Sequence, residues 1–399
     1  MGPRLFAALV VFLLARAAVA GALQVAVISD LNGSYGSTDY DPRVAEAIER
    51  IIALKPALVI SAGDMVAGQR RPPLSGAEVR AMWQGFHATV SDPLAAAGIP
   101  LVVTPGNHDA SGYEGFEMER QIFAEKWADR QPDLEFRAGG HWPFHYAFDL
   151  DGVRFASLDA TEVGRMDTGQ QAWLADAMAG AGPTRILFSH LPLWPFTVGR
   201  ETEVIGDPAV AALFSTLGIT LHISGHPHAY YPGASDGIAL VSMACLGAGP
   251  RALIGTDSPS EPGFAVLDIS EGGKVVVREF EGDGFARTLD VTRLPPAIDT
   301  PVSHLTRLDL AGLPDVSTTT TPKSPTGRKA PDRPPRFRSG RVGHDCGRCA
   351  WRRAGCDGTR PRPVLRCGHR DIARRRLARS GVEPARKPGR SPGFPVGGG

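Results

Sequence analysis

Residues Thr104–Ala110 read T-P-G-N-H-D-A and follow directly on the apolar run Ile99–Val103. A short run of β-branched and aliphatic residues predicts a buried strand. Pro-Gly ends it and hands Asn107, His108 and Asp109 to one edge of a sheet, where α/β proteins carry their ligands and catalysts. Four other stretches end the same way. Leu23–Ile28 is apolar on both faces, as a strand covered on two sides requires, and ends in Ser29-Asp30-Leu31-Asn32-Gly33. Leu58–Ile60 ends in Ala62-Gly63-Asp64, Ile186–Phe188 in Ser189-His190, and Ile219–Ile223 in Gly225-His226-Pro227-His228.

Between these strands the sequence predicts helices. Asp41-Pro42 reads as an N-cap with proline at the first helical position. Val44, Ala47, Ile48, Ile51 and Ile52 then mark one helical face that Pro56 closes. Ser75 and Glu78 form a capping-box pair ahead of Val79, Met82, Trp83 and Phe86. Further helices are expected over Phe116–Trp127, Gln170–Met178 and Val210–Leu217, the last ended by Gly218. Asp151-Gly152 between His145–Leu150 and Val153–Leu158 predicts a hairpin. Strand-like runs over Ile238–Met243, Phe264–Ile269 and Lys274–Phe280 finish the domain.

The polar residues gathered at the five strand ends are Asp30, Asn32, Asp64, Asn107, His108, Asp109, His190, His226 and His228. Carboxylate, amide oxygen and neutral imidazole are ligands for ions such as Mn, Fe, Zn, Co or Ni. There are more of them than one ion uses with a water position left open. Two ions about 3.5–4 Å apart would use them all, one carboxylate bridging. His87, His141, His145 and His222 fit no such pattern and are read as structural or surface residues, and Asp159 as a turn former or an orienting group.

At these residues the chain resembles the calcineurin-like metallophosphoesterase superfamily, whose pattern is D-x-H, GD, GNH[DE], a lone His and GHxH in this order. Here it reads Asp30-Leu31-Asn32, Gly63-Asp64, Gly106-Asn107-His108-Asp109, His190 and Gly225-His226-Pro227-His228, over roughly Val25 to Pro232. The resemblance implies a four-layer α/β/β/α sandwich, two mixed β-sheets flanked by helices. It implies two divalent or trivalent metal ions, the first on Asp30, Asp64 and His228. Asp64 would bridge to a second, completed by Asn107, His190 and His226. His108 would contact the phosphate and protonate the leaving oxygen, oriented by Asp109, both counted as catalytic. Asn32 stands where the pattern carries His and would coordinate through its amide oxygen. The purple acid phosphatase branch also lacks that His but carries a Tyr where this chain has Ala67, so that branch does not fit. Tyr35, Tyr230 and Tyr231 are read either as pocket-lining or as buried core.

The implied activity is water-dependent hydrolysis of a phosphate mono- or diester. The alternative is a module that binds metal or phosphate, turns over poorly and acts through a partner, with Asn32 as its lesion. Retention of both His108 and Asp109 favours the enzyme. Specificity is expected from the loops Met65–Leu74, Ser111–His145 and Pro192–Gly206.

The two ends differ from this domain, expected over 21–295. Residues 1–20 read as a secretory signal, with Arg4, an apolar stretch Leu5–Leu14 and Ala18-Val19-Ala20 as a cleavage site, so an exported protein without a membrane span is expected. Residues 296–399 read as a linker and a disordered Arg/Pro/Gly-rich tail. Residues 322–399 hold 21 of the 43 Lys and Arg but 5 of the 42 Asp and Glu. The near-neutral total is therefore an acidic domain balanced by a basic tail, which could bind nucleic acid or an anionic surface, be an inert exported extension, or be an off-frame read. No nucleic acid is required by the catalytic domain. Cys346, Cys349, Cys356 and Cys367 of the tail lack the spacing of common structural zinc sites, and Cys245 is the domain's only cysteine.

Overall fold

The computed structural model describes residues 22–164, 166–247 and 249–320; the expected leader, and the basic tail from 322 with its cysteines, lie outside the described residues. Two mixed sheets carry the chain. The first runs Arg287–Thr288, Val275–Glu281, Gly263–Ile269, Leu23–Ile28, Leu58–Ser61, Leu101–Val103, with Val316–Thr318 added beside Val275–Glu281. The second runs from Ala297–Asp299 through His304–Arg307, Tyr231–Ser235, Ile238–Ser242, Leu221–Ser224, Arg185–Ser189, Val153–Leu158 and Tyr146–Leu150 to Glu135–Phe136.

Leu23–Ile28 shows why its sequence is apolar throughout. Leu23, Val25 and Val27 face a core between the two sheets, with Leu58, Ile60, Phe155, Ile186, Phe188, Leu221 and Ile223. Ala26 and Ile28 alternate onto the opposite face, against the helices Pro42–Leu54, Gly76–Phe86 and Glu117–Trp127. The second sheet repeats the arrangement: Leu187 packs outward with Leu174, Met178, Val210 and Phe214 of the helices Thr168–Met178 and Pro208–Thr216. Three buried layers between four layers of structure make the expected α/β/β/α sandwich.

Local signals settle the element ends. Asp41 accepts the Arg43 N–H, and the helix stops at Lys55 in the left-handed region. The Ser75–Glu78 capping box closes reciprocally. Asp151 and Gly152 both take positive φ in the hairpin that pairs Leu150 with Val153. His222 turns away from the sheet interface, with its Nε2 2.8 Å from the Ser189 hydroxyl and its ring on Phe214. Burial pushes it down to about 3, so it is a neutral structural histidine.

The domain boundary expected at 295 moves out to Thr318, because Ala297–Asp299, His304–Arg307 and Val316–Thr318 are strands of the two sheets. These short, mixed-polarity segments have no strand period of their own and are held by their partners. The strand Tyr231–Ser235 was also not expected, since its Pro232 and Gly233 disfavour one. The parallel strands Leu23–Ile28, Leu58–Ser61 and Leu101–Val103 of one sheet, and Arg185–Ser189 and Leu221–Ser224 of the other, deliver their C-terminal ends to one place.

Candidate metal centre

Two groups of inward-facing atoms form there, Asp64 with His190 and His226, and Asp30 with Asp64 and His228, each group within 4.8 Å. The backbone turns sharply to present them. Asp30, Asp64, His226 and His228 have φ of 52°, 54°, 72° and 55°, the left-handed region that non-glycine residues rarely enter. Each such residue costs of order 1–3 kcal/mol. Two glycines are dictated by crowding. A Cβ on Gly106 would lie 2.1 Å from the Asp64 nitrogen, and one on Gly225 would lie 2.2 Å from the Ser29 hydroxyl.

Each histidine is held from behind. His190 Nδ1 lies 3.0 Å from the Ala62 carbonyl, His228 Nδ1 2.9 Å from the Gly249 carbonyl, and His226 Nε2 2.9 Å from the Glu203 carboxylate. An acceptor behind the ring fixes the proton on that nitrogen and turns the other nitrogen's lone pair inward. The Asn107 amide is oriented the same way. Its Nδ2 donates to Gln69 Oε1 at 2.6 Å, while Gln69 Nε2 donates to the Ser111 hydroxyl. Asn107 Oδ1 therefore faces inward, 2.9 Å from His190 Nε2 and 3.1 Å from His226 Nδ1. His190 Nε2 lies 3.2 Å from Asp64 Oδ2, and His228 Nε2 3.0 Å from Asp30 Oδ1.

Acceptor atoms thus converge on acceptor atoms, which is stable only with positive charge between them. In the metal-free protein protons supply it. Against burial, the Asp64 carboxylate raises His190 to about 9, and Asp30 raises His228 to about 10. Against burial of the carboxyls, those histidines hold Asp64 and Asp30 below the usual range. A bound cation would replace these protons. The donor set, oxygen and imidazole with no thiolate among the facing atoms, fits borderline or hard divalent and trivalent ions.

His108 is half-buried; its backbone N–H donates to Asp64 Oδ1 at 2.9 Å. Its Nδ1 sits 2.8 Å from the Gly68 carbonyl, which leaves Nε2 as the free ring atom. Asp109 does not orient this ring. Its carboxylate accepts the N–H groups of Met65 and Val66 on one oxygen and that of Gly106 on the other. It ties the Gly63-Asp64 turn to the helical turn Asn107–Ala110, because a buried carboxylate is drawn to the unpaired N–H groups at those bends. The Asn32 N–H donates to the Asp64 carbonyl, and its side chain takes no hydrogen bond among the described residues. Tyr230 and Tyr231 are buried core, whereas Tyr35 is exposed with its ring 5.5 Å from that of His108. Asp159 pairs with Arg120.

Asp109→Ala strands three buried N–H groups, and a destabilisation on the order of 3–5 kcal/mol is expected in urea unfolding. An unchanged unfolding midpoint with lost activity would return Asp109 to an orienting role.

Glu203, Gln69 and Gly68 carry the inner residues, yet no motif marks them. Glu203 is itself paired with Arg200, and burial-opposed bonds to His226 and Arg200 take it down to about 2. Only their positions in loops beside the strand ends could have drawn attention to them.

The sequence pattern of the calcineurin-like phosphoesterases matches residues 23–230. No curated protein matches the chain. The fold is similar to that of a purple acid phosphatase from yellow lupin (Lupinus luteus) seeds, with a TM-score of 0.51 at 14% identity, over 76% of this chain and 57% of that one. The chain therefore spans little more than half of that phosphatase. A dimetal phosphatase from Danio rerio matches at 15% identity and a TM-score of 0.45, over 67% of this chain and 98% of that one. Identities this low speak for the fold alone. The family match, however, takes in every strand end from Asp30 to His228, and on it the chain belongs to the calcineurin-like phosphoesterase family.

Proposed function

We propose that this protein is an exported phosphoesterase that hydrolyses phosphate mono- or diesters with two metal ions. The observation that carries the reading is the meeting of Asn107 Oδ1, His190 Nε2, His226 Nδ1 and Asp64 Oδ2, acceptors turned on one another by anchors behind each. Asp64, Asn107, His190 and His226 would hold one ion. Asp30, Asp64 and His228 would hold the other, with the uncommitted Asn32 amide within the same loop. Two cations held by these residues would lower the pKa of a water and neutralise phosphoryl oxygens. Export rests on the leader-like sequence of residues 1–20; among the described residues no helix is long and apolar enough to cross a membrane.

The chain's own residues do the rest. His108 Nε2 faces away from its Gly68 anchor and holds a proton for the departing ester oxygen. The His108 backbone N–H on Asp64 Oδ1 fixes that carboxylate so that its other oxygen stays on His190. No side chain need form a covalent intermediate. The testing experiment compares Mn-loaded and chelator-stripped protein on p-nitrophenyl phosphate and bis-p-nitrophenyl phosphate. Metal-dependent release supports the reading, and the ratio of the two rates separates monoesterase from diesterase. Ordinary metal affinity with no release from either ester would sink it in favour of a binding module.

Glu203 supplies a second test. It fixes the His226 tautomer, and such outer partners are worth about 10–100-fold in metal affinity. Glu203→Gln is expected to weaken one of two Mn sites by that factor in isothermal titration while the other stays unchanged. Equal weakening of both, or of neither, would show that Glu203 does not act through His226.

A further inference from the structure

Beside the metal centre lies an open cleft of about 830 Å³ whose walls come from two of the loops, at 69–71 and 113–116, and from Tyr35. It adjoins the site directly. Gln69, on its wall, holds the Asn107 amide, and the Tyr35 ring stands 5.5 Å from the His108 imidazole. Its size is that of a pocket for a ligand much larger than phosphate.

The lining combines two chemistries. Tyr35 and Tyr113 are among the few large apolar side chains left uncovered, 56% and 40% exposed. Tyr113 is fixed, its hydroxyl accepting the Val163 N–H at 3.0 Å and its backbone N–H bound to Ser111, so its ring is a pre-set platform. Arg71 is fixed as well. Its guanidinium lies 4.7 Å from the centre of the Phe116 ring and donates to the Glu114 carbonyl, which leaves other N–H groups of the fork unused. Arg70 is exposed and in no hydrogen bond or ion pair among the described residues. Glu114 is the one carboxylate on this lining, so the cleft is net positive. Flat exposed rings recognise planar groups by stacking. Pre-oriented guanidinium groups recognise phosphate oxygens.

We propose that this cleft seats the leaving group and that the substrate is a nucleoside diphosphate, its base on Tyr35 and Tyr113 and its inner phosphate on Arg70 and Arg71. The inference rests on the phosphoesterase reading, since it places the terminal phosphate at the metal centre and the remainder on the His108 side. The step balances. A water oxygen bonds to the terminal phosphorus, the bond from that phosphorus to the bridging oxygen breaks, and the bridging oxygen keeps the electron pair and can take a proton from His108. The products are a nucleoside monophosphate and orthophosphate, with no oxidant or second substrate.

The test compares ADP with inorganic pyrophosphate, which has the same anhydride and no nucleoside, on the Mn-loaded full chain. It adds calorimetric binding of AMP to the metal-free protein. Stacking of the base is expected to give ADP a kcat/KM at least about tenfold above pyrophosphate. The preference is expected to shrink or vanish in Tyr35→Ala/Tyr113→Ala, whereas Arg70→Ala/Arg71→Ala is expected to lower kcat/KM for both substrates and to abolish AMP binding. Thermal melting checks that these variants fold. If p-nitrophenyl phosphate is hydrolysed but ADP is no better than pyrophosphate and AMP does not bind, the inference is overturned and the phosphoesterase reading stands. If AMP binds through Arg70 and Arg71 but no ester or anhydride is hydrolysed, the cleft stands as a nucleotide site and the hydrolase reading falls.

Discussion

Asp64→Asn is expected to lower kcat/KM for p-nitrophenyl phosphate by at least about a thousandfold, the equivalent of roughly 4 kcal/mol of transition-state stabilisation. The substitution is nearly isosteric, and the amide oxygen can still accept the His108 N–H that Asp64 Oδ1 accepts at 2.9 Å. What changes is the second atom. Where Asp64 Oδ2 faces His190 Nε2 at 3.2 Å, an amide NH₂ would donate into the space it shares with three remaining acceptors. Asp64 belongs to both groups of candidate ligands, so one substitution weakens both. Bound Mn, counted by elemental analysis after dialysis, should fall from two per chain to one or none. A readout independent of activity is available in the metal-free protein. His190 is held up at about 9, against burial, chiefly by the Asp64 carboxylate; without it burial dominates and the imidazole should become neutral. Loss of that proton is visible by NMR. Stability should change little, because a neutral His190 can accept from the new amide. An Asp64→Asn variant that keeps two Mn and full turnover would remove Asp64 from the ligand set and overturn its bridging role.

The sequence made the scaffold legible wherever one residue type served one purpose. Leu23–Ile28 had to be apolar on both faces because it lies between a helix layer and a second sheet, and alternate residues go to two different cores. Asp41-Pro42 and Ser75–Glu78 carry their caps in adjacent letters. The candidate residues stand out in the sequence because each follows a strand that ends in a bend, and the two sheets bring those bends together. What could not be read is whatever depends on three-dimensional closeness between unrelated letters. Asp109 sits next to His108 in sequence, yet its oxygens go to Met65, Val66 and Gly106. Glu203 is 23 positions before His226 in a loop with no pattern, and only folding places its carboxylate on the imidazole. The short strands 297–299, 304–307 and 316–318 have no strand signal until a partner offers its free N–H and C=O groups. The left-handed backbone at Asp30, Asp64, His226 and His228 is equally silent, since no glycine or asparagine marks those positions.

His108→Ala should separate proton transfer from metal binding. Alanine keeps the backbone N–H that donates to Asp64 Oδ1, so both ions should remain bound with nearly unchanged affinity. The lost ring makes one hydrogen bond, from Nδ1 to the Gly68 carbonyl, so stability should fall by about 1 kcal/mol or less. Turnover is another matter. A positioned acid contributes about 10²–10⁴-fold, and the free Nε2 is the ring atom that can hold the proton. The size of the loss should depend on the ester. p-Nitrophenolate departs readily without a proton, so that substrate should lie at the low end of the range; phenyl and alkyl phosphates, whose oxygens leave poorly as anions, should lie at the high end. The pH profile gives the second signature. An acid must be protonated to act, so kcat of the parent protein should fall toward alkaline pH, and the variant should lack that limb. His108→Gln, which can donate a hydrogen bond but not a proton, should recover part of the rate on p-nitrophenyl phosphate and little on alkyl esters. A uniform loss across all leaving groups, with the basic limb intact, would mean that His108 only steadies bound phosphate; the proton would then have to come from water or from another group, with Tyr35, whose ring stands 5.5 Å from that of His108, the first to substitute.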